Sequence, residues 1–466
     1  MAVYILTSKN LRPQYVPVYA PVRLGLDGVD PFNKYVCQIF EFDEATFTYG
    51  NKIADIRQSP NNDNKAIIDI QNVLQSFVGV DEDAESTSEL TTSEDSTYII
   101  GIKVGQEDPN GVVTIDTTYE PYELVPTRLE YYQGIDNIAV NAQPVIIGDD
   151  EGPANCTTVT GIGELLTDMP TYLAGHFSGG RPTSISSTEA IHRVKLTEND
   201  WMTVSYLNEV IKSSPIPAAE ALGAEGWVFH EYNGNTDLGT TFIANTQANG
   251  GGPNIAVGDG STIIFPYTFE SVQTSLNNGL FTVDPLTTHY FVYAVAYQPS
   301  GCSGHPGFNI PMYTPVRVDV TTPDCLDYDH IQFSWMNSYG FRDYFTATKR
   351  NEKRVNTTRN TYFKESVDYN GIDLTTNTYD RGDTVYSQQI QETWTATTDY
   401  MDDQTAEYLQ NLFMSPDTRV RFGDSSAWYP VILTSNSYTE RTYRKDRLFQ
   451  YEISFRLANP LKSQRG

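Results

Sequence analysis

The stretch from Cys325 to Ala347 constrains this chain more than any other. It reads Cys-Leu-Asp-Tyr-Asp-His-Ile-Gln-Phe-Ser-Trp-Met-Asn-Ser-Tyr-Gly-Phe-Arg-Asp-Tyr-Phe-Thr-Ala. Apolar residues alternate with polar ones on both sides of a break, which is the period-two pattern of strands. Ile331, Phe333 and Trp335 would point one way, and Asn337-Ser-Tyr-Gly340 supplies the turn. Tyr344 and Phe345 then begin a return strand. The rest of the chain reads the same way, with 31 Tyr, 21 Phe and recurrent Thr. Such residues fit a pleated, half-buried surface. The expected fold class is therefore mainly β, with several antiparallel β-sandwich or jelly-roll-like domains. A C-terminal α+β domain, one helix on a sheet, completes it.

A chain of 466 residues accommodates about three domains of about 150 residues. The first, 1–150, opens with Pro13, Pro17 and Pro21 at four-residue intervals, which excludes helix and suits an extended edge. Tyr35–Phe42, Ala66–Ile70 and Tyr98–Val104 read as its strands. Between them, residues 80–96 mix seven acidic residues with Ser and Thr, a composition that predicts a solvated loop or a disordered insertion. A turn-rich joint, Gly148-Asp-Asp-Glu-Gly-Pro153, opens the second domain, 151–322. Short strands recur there, from Ala190–Leu196 through Tyr290–Tyr297, around a long loop at 249–254. The third domain, 323–466, carries the one clear helical signal. Asp402 is the predicted N-cap, Tyr408, Leu409, Leu412 and Phe413 form an apolar stripe, and Pro416 follows the end.

Charge narrows the choice of partners. The net charge is −28, which repels phosphate backbones and anionic membranes and argues against nucleic-acid binding. Residues 321–466 hold 17 Lys+Arg and 20 Asp+Glu; residues 1–320 hold the other 14 and 39. The acidity thus sits in the first 320 residues, at −25 against −3. No apolar run approaches the ~20 residues that span a bilayer, so no stable membrane insertion is expected. The opening Met1-Ala-Val-Tyr-Ile-Leu-Thr-Ser-Lys9 has no secretory-signal pattern. Four dispersed cysteines do not make a disulfide scaffold. A reducing cytoplasm is the expected place of synthesis.

One constellation has metal-ligating chemistry. Cys302-Ser-Gly-His305 and Cys325-Leu-Asp-Tyr-Asp-His330 are two Cys/His pairs that could together hold zinc tetrahedrally. The competing reading is buried small residues and ordinary loop histidines. Gly175-His-Phe-Ser-Gly-Gly180 places Ser178 among glycines but lacks the Gly-x-Ser-x-Gly elbow. No phosphate-cradling glycine motif lies between a strand and a helix. No catalytic or cofactor-binding residue is nominated, and zinc is the one cofactor considered.

The chain resembles virion structural proteins of tailed bacteriophages, of the Bacteroidetes, crAss-like and marine type. Four parts carry the likeness. The first is Pro17-Val-Tyr-Ala-Pro-Val-Arg-Leu-Gly-Leu26, with Arg57-Gln-Ser-Pro-Asn-Asn62 and Ala66-Ile-Ile-Asp-Ile70. The second runs from Gly180-Arg-Pro-Thr183 to Trp201-Met-Thr-Val-Ser-Tyr-Leu-Asn208. The third is Cys325–Phe345, where Met336 and Phe341 stand in place of a Leu and a second Gly. The fourth runs from Glu392-Thr-Trp394 through Leu409 and Ser415-Pro416 to Tyr451-Glu-Ile-Ser-Phe455. The resemblance implies a non-enzymatic part of a tail or a neck/connector ring, assembled in the host cytoplasm. Its implied partners are copies of itself and other virion tail or neck proteins. The alternatives are a receptor-binding or tail-fibre protein recognising host glycans through loops such as 249–254, and a capsid decoration protein.

Overall fold

Strands dominate the structure, as the aromatic and β-branched composition requires. The computed structural model describes residues 2–11, 15–30, 32–43, 48–79, 91–93, 98–129, 145–147, 157–159, 165, 167–177, 179–197, 200–207, 224–244, 262–268, 284–296, 314–321, 329–363, 368–369, 371–375, 382–423, 427–434 and 450–459. The chain divides into two units, Met1–Thr322 with Met336–Tyr344, and Pro323–Trp335 with Phe345–Gly466. The joint at 148–153 expected to separate two domains, and the loop at 249–254, lie outside the described residues.

In the first unit, a five-stranded sheet runs in the order Tyr15–Pro17, Val113–Val125, Tyr98–Glu107, Lys34–Asp43, Thr48–Gln58. A three-stranded sheet of Tyr4–Lys9, Arg23–Asp27 and Ala66–Asp69 contributes to the same core. Leu24, Leu26 and Ile68 from one sheet join Tyr35, Cys37, Ile39, Ile100, Ile102 and Val104 from the other, all buried. These positions alternate along their strands, and each fully buried aliphatic side chain contributes roughly 1.5–3 kcal/mol. Of the spaced prolines, Pro17 ends the edge strand Tyr15–Pro17 of the larger sheet, where a missing N–H is tolerated; Pro13 lies outside the described residues. A one-turn helix, α1 (Gln71–Leu74), buries Leu74 in this core.

A six-stranded sheet follows in the order Thr171–Leu173, Ala190–Thr197, Val316–Thr321, His289–Ala296, Ala224–Asn233, Thr236–Ala244. Its second and third strands are parallel, with Arg193 opposite Arg317 and Lys195 opposite Asp319. The acidic segment 80–96 was expected to be loop, and at Thr91–Ser93 it is not. These three residues form a strand paired with Thr262–Ile264. They carry no charge and two of them are β-branched, so they pair where their acidic neighbours would not. The remainder of that segment lies outside the described residues.

A seven-stranded sheet, most of which belongs to the second unit, runs in the order Arg342–Ala347, Ile331–Met336, Thr418–Phe422, Tyr429–Leu433, Glu452–Leu457, Asp383–Thr397, Asn351–Phe363. The strand Ile331–Met336 is buried at all six positions, so it lacks the single inward face expected of it. Gln332 tolerates burial because its cross-strand neighbour Arg421 donates to its Oε1 at 3.5 Å. The helix α2 (Asp403–Met414) buries Ala406, Tyr408, Leu409 and Leu412, and the Tyr408 ring lies 5.0 Å from that of Trp335. One helix against an antiparallel sheet is the expected α+β arrangement. Asp402 caps it, accepting the Thr405 N–H at 2.9 Å. Asp402→Ala should lower stability by about 1 kcal/mol; an unchanged thermal midpoint would show the cap to be idle.

Candidate functional site

Two polar clusters of the first unit have the ingredients of chemistry. The first joins the segment around Asp168 to the turn Met336–Tyr344. Asn337 builds that turn: its Oδ1 accepts the N–H groups of Tyr339 and Phe341, both at 3.0 Å. Gly340 completes it at φ +91°. The Ser338 carbonyl accepts from Thr127 Oγ1 at 2.7 Å and from the Arg128 N–H at 3.0 Å. Asp168 accepts the Ser338 N–H at 2.6 Å and also its hydroxyl. Asp343 accepts from Thr167 Oγ1 at 2.6 Å and from the Asp168 N–H at 2.9 Å. Burial pushes the Asp343 carboxyl up to about 7, and the negative charge of Asp168 adds to the effect. Backbone amides and hydroxyls of these same segments occupy both carboxylates, and the result is a fixed turn.

The second cluster lies on the six-stranded sheet. Arg193 and Arg317 each donate to Asp319, at 2.6 and 2.7 Å, and both guanidiniums cover the Phe177 ring, at 4.8 and 4.6 Å. Burial pushes the Asp319 carboxyl up, but the two guanidiniums outweigh it and hold it below the usual carboxylate range. His289 stacks on Tyr232, ring centroids 5.4 Å apart, and donates from Nε2 to the Gly180 carbonyl at 2.8 Å. Burial pushes the His289 imidazole below its ordinary range. The glycine-rich segment 175–180 is thus held by Phe177 and Gly180 as a packing element; Ser178 itself lies outside the described residues.

Of the four residues of the zinc constellation, the structure describes His330 alone. Cys302, His305 and Cys325 lie outside the described residues. His330 is buried just ahead of Ile331–Met336, and its carbonyl accepts the Gly423 N–H at 2.9 Å. Among the described residues no three His, Cys, Asp or Glu side chains converge as metal ligands. Cys37 is buried in the core, and desolvation pushes its thiol up to about 12.

The feature that reaches outward is a hairpin arm of the second unit, formed by Asn351–Phe363 and Asp383–Thr397. Thirteen residue pairs hold it, from Asn351 opposite Ala396 to Phe363 opposite Asp383. A strand of this length spans about 43 Å. Among the described residues, the strand Glu452–Leu457 supports its base, pairing with Trp394–Thr397. Every residue from Glu352 to Phe363 is exposed, on both faces. A bulge between Asn360 and Thr361 leaves Tyr386 without a pairing partner. Around it the distal end carries Tyr362, Phe363, Val385 and Tyr386, with Phe363 73% exposed. At the base, Lys353 pairs with Glu392 at 2.6 Å, and Trp394 packs on Phe422 with ring centroids 4.6 Å apart. No apolar face marks the arm in sequence. Its signal was the density of Thr in two polar runs of 13 and 15 residues.

No family model and no curated protein matches this chain. Among solved structures, red sea bream transglutaminase is 10% identical over 68% of this chain, with a TM-score of 0.15. The chain spans 32% of that enzyme's length. Three N-terminal domains of the highly immunogenic outer capsid protein (Hoc) of bacteriophage RB49 are 11% identical over 69% of this chain and 99% of that one, with a TM-score of 0.14. Both are weak structural neighbours, far below the 0.5 that marks a common fold.

Proposed function

We propose that this chain is a structural component of a tailed-phage virion, in the tail or the neck/connector ring, acting through subunit interfaces and not through turnover. The hairpin arm carries the proposal. A two-stranded ribbon is marginal by itself in water, and an exposed edge strand ending in aromatic side chains invites pairing or aggregation unless a partner covers it. A protein repeated around an axis supplies that partner at every position, because head-to-tail contacts close into rings. The sequence likeness to phage virion proteins points the same way. The −25 charge of residues 1–320 fits a lining past which DNA slides without sticking.

Copy number tests the reading. Quantitative mass spectrometry of purified particles of the encoding phage should find a small fixed number per virion, of the size of one or a few rings. Hundreds of copies would mean capsid decoration, and absence from the particle would end the proposal.

A further inference from the structure

The occupant of the arm follows from its charge. The outer strand, Asn351–Phe363, carries Lys353, Arg354 and Arg359 against Glu352 alone, in a chain whose net charge is −28. Lys353 is neutralised within the arm by Glu392. Arg354 and Arg359 are exposed and, among the described residues, have no carboxylate partner. Their neighbours along the strand are Asn356, Thr357, Thr358, Asn360 and Thr361, uncharged groups able to donate and accept hydrogen bonds. Among the described residues the strand is the last of its sheet, so one row of its backbone N–H and C=O groups has no described strand beside it.

We infer that the arm docks onto the acidic first unit of a second copy of this chain. The outer strand offers backbone hydrogen bonds, and Arg354 and Arg359 meet carboxylates of the neighbour. Tyr362, Phe363, Val385 and Tyr386 cover apolar surface at the far end. The charge asymmetry makes the contact directional. A basic strand on the near-neutral portion of one copy faces the −25 of residues 1–320 on the next. Two arms are both basic at the edge and gain nothing electrostatically from each other. The contact is therefore heterologous, the kind that propagates around a ring. The inference rests on the ring reading above and names the surface that reading leaves open.

The test uses the full-length protein over a range of concentrations, followed by mass photometry and light scattering at low and at 0.5 M salt. Wild type should assemble, and salt should weaken assembly because exposed charges are screened within about 10 Å or less. Arg354→Glu with Arg359→Glu should raise the concentration needed for assembly at least tenfold, whereas Arg354→Lys with Arg359→Lys should largely restore it. Tyr362→Ser with Phe363→Ser should weaken assembly without changing its salt dependence. Because these side chains are exposed, an unchanged circular dichroism spectrum and thermal midpoint should confirm that each variant folds. If wild type assembles and both the charge-reversed and the tip variants assemble like it, the arm is not the contact, and the ring reading stands without it. If wild type stays monomeric at every concentration and salt, the ring reading falls and takes the arm contact with it.

Discussion

Gly340→Ala should destabilise the first unit by about 4 kcal/mol or more, in the range where a point substitution has to break something specific. Two effects combine at this position. Its φ of +91° lies where an L side chain is strained, worth about 1–2 kcal/mol by itself. A Cβ built on Gly340 would also overlap the backbone carbonyl of Pro126, and neither the turn nor that carbonyl has a flexible end to move aside. Relief requires the turn to lift, which breaks the bonds from Thr127 and Arg128 to the Ser338 carbonyl and those from Ser338 to Asp168. Gly111, in the same unit at φ +84°, separates the two effects, since a Cβ there would meet only Glu107 Oε1, at 3.8 Å. Gly111→Ala should therefore report strain alone, at about 1–2 kcal/mol. The comparison is read from denaturant or thermal unfolding of the two variants beside wild type. Equal losses would mean that the close approach to Pro126 is absent in solution.

That turn was legible in sequence because its chemistry is local. Asn337 satisfies two amides within four residues, and Gly340 takes the backbone conformation other residues avoid. The strands around Tyr35, Cys37 and Ile39 were legible for a similar reason, since period-two burial leaves its imprint residue by residue. Helix α2 announced itself through Asp402, its apolar stripe and Pro416. What could not be read was tertiary. Asp168 and Asp343 are 175 residues apart, and nothing near either one marks it as half of a carboxylate pair. The hairpin arm escaped notice because its outer strand, Asn351–Phe363, has no inward face, so the polar/apolar alternation that identifies strands is missing there. Gln332 and Ser334 misled for the opposite reason. They look like an outward face, yet both are buried, and Gln332 meets Arg421 on the adjoining strand. A zinc site remains a matter of spacing, because only His330 of its four residues is described.

The stability of the first unit should fall as pH rises from about 4 to about 7, through Asp343. An ordinary carboxyl releases its proton near pH 3.9, whereas burial, reinforced by Asp168, raises this one to about 7. Below both values the folded and unfolded chains hold the proton alike. Between them only the folded chain keeps it, so each rise in pH favours unfolding, and the loss is complete above about 7. At about 1.4 kcal/mol per unit of displacement, the total is a few kcal/mol. Two buried imidazoles act in the opposite sense. Burial pushes His192 and His289 below their ordinary range, so the stability they confer is lost as pH falls through about 6.5 and below. They are the same in every variant at Asp168, so a difference profile removes them. Asp168→Asn deletes the like charge while keeping an acceptor for the Ser338 N–H, and it should flatten the slope between pH 5 and 7. Asp343→Asn should abolish that contribution altogether, at a fixed cost from turning an amide donor toward either Thr167 or the Asp168 N–H. The direct measurement is the side-chain carboxyl carbon resonance of Asp343 followed through a pH titration. A midpoint near 4, or the same pH slope in wild type and Asp168→Asn, would show that the two carboxylates do not share a dry site.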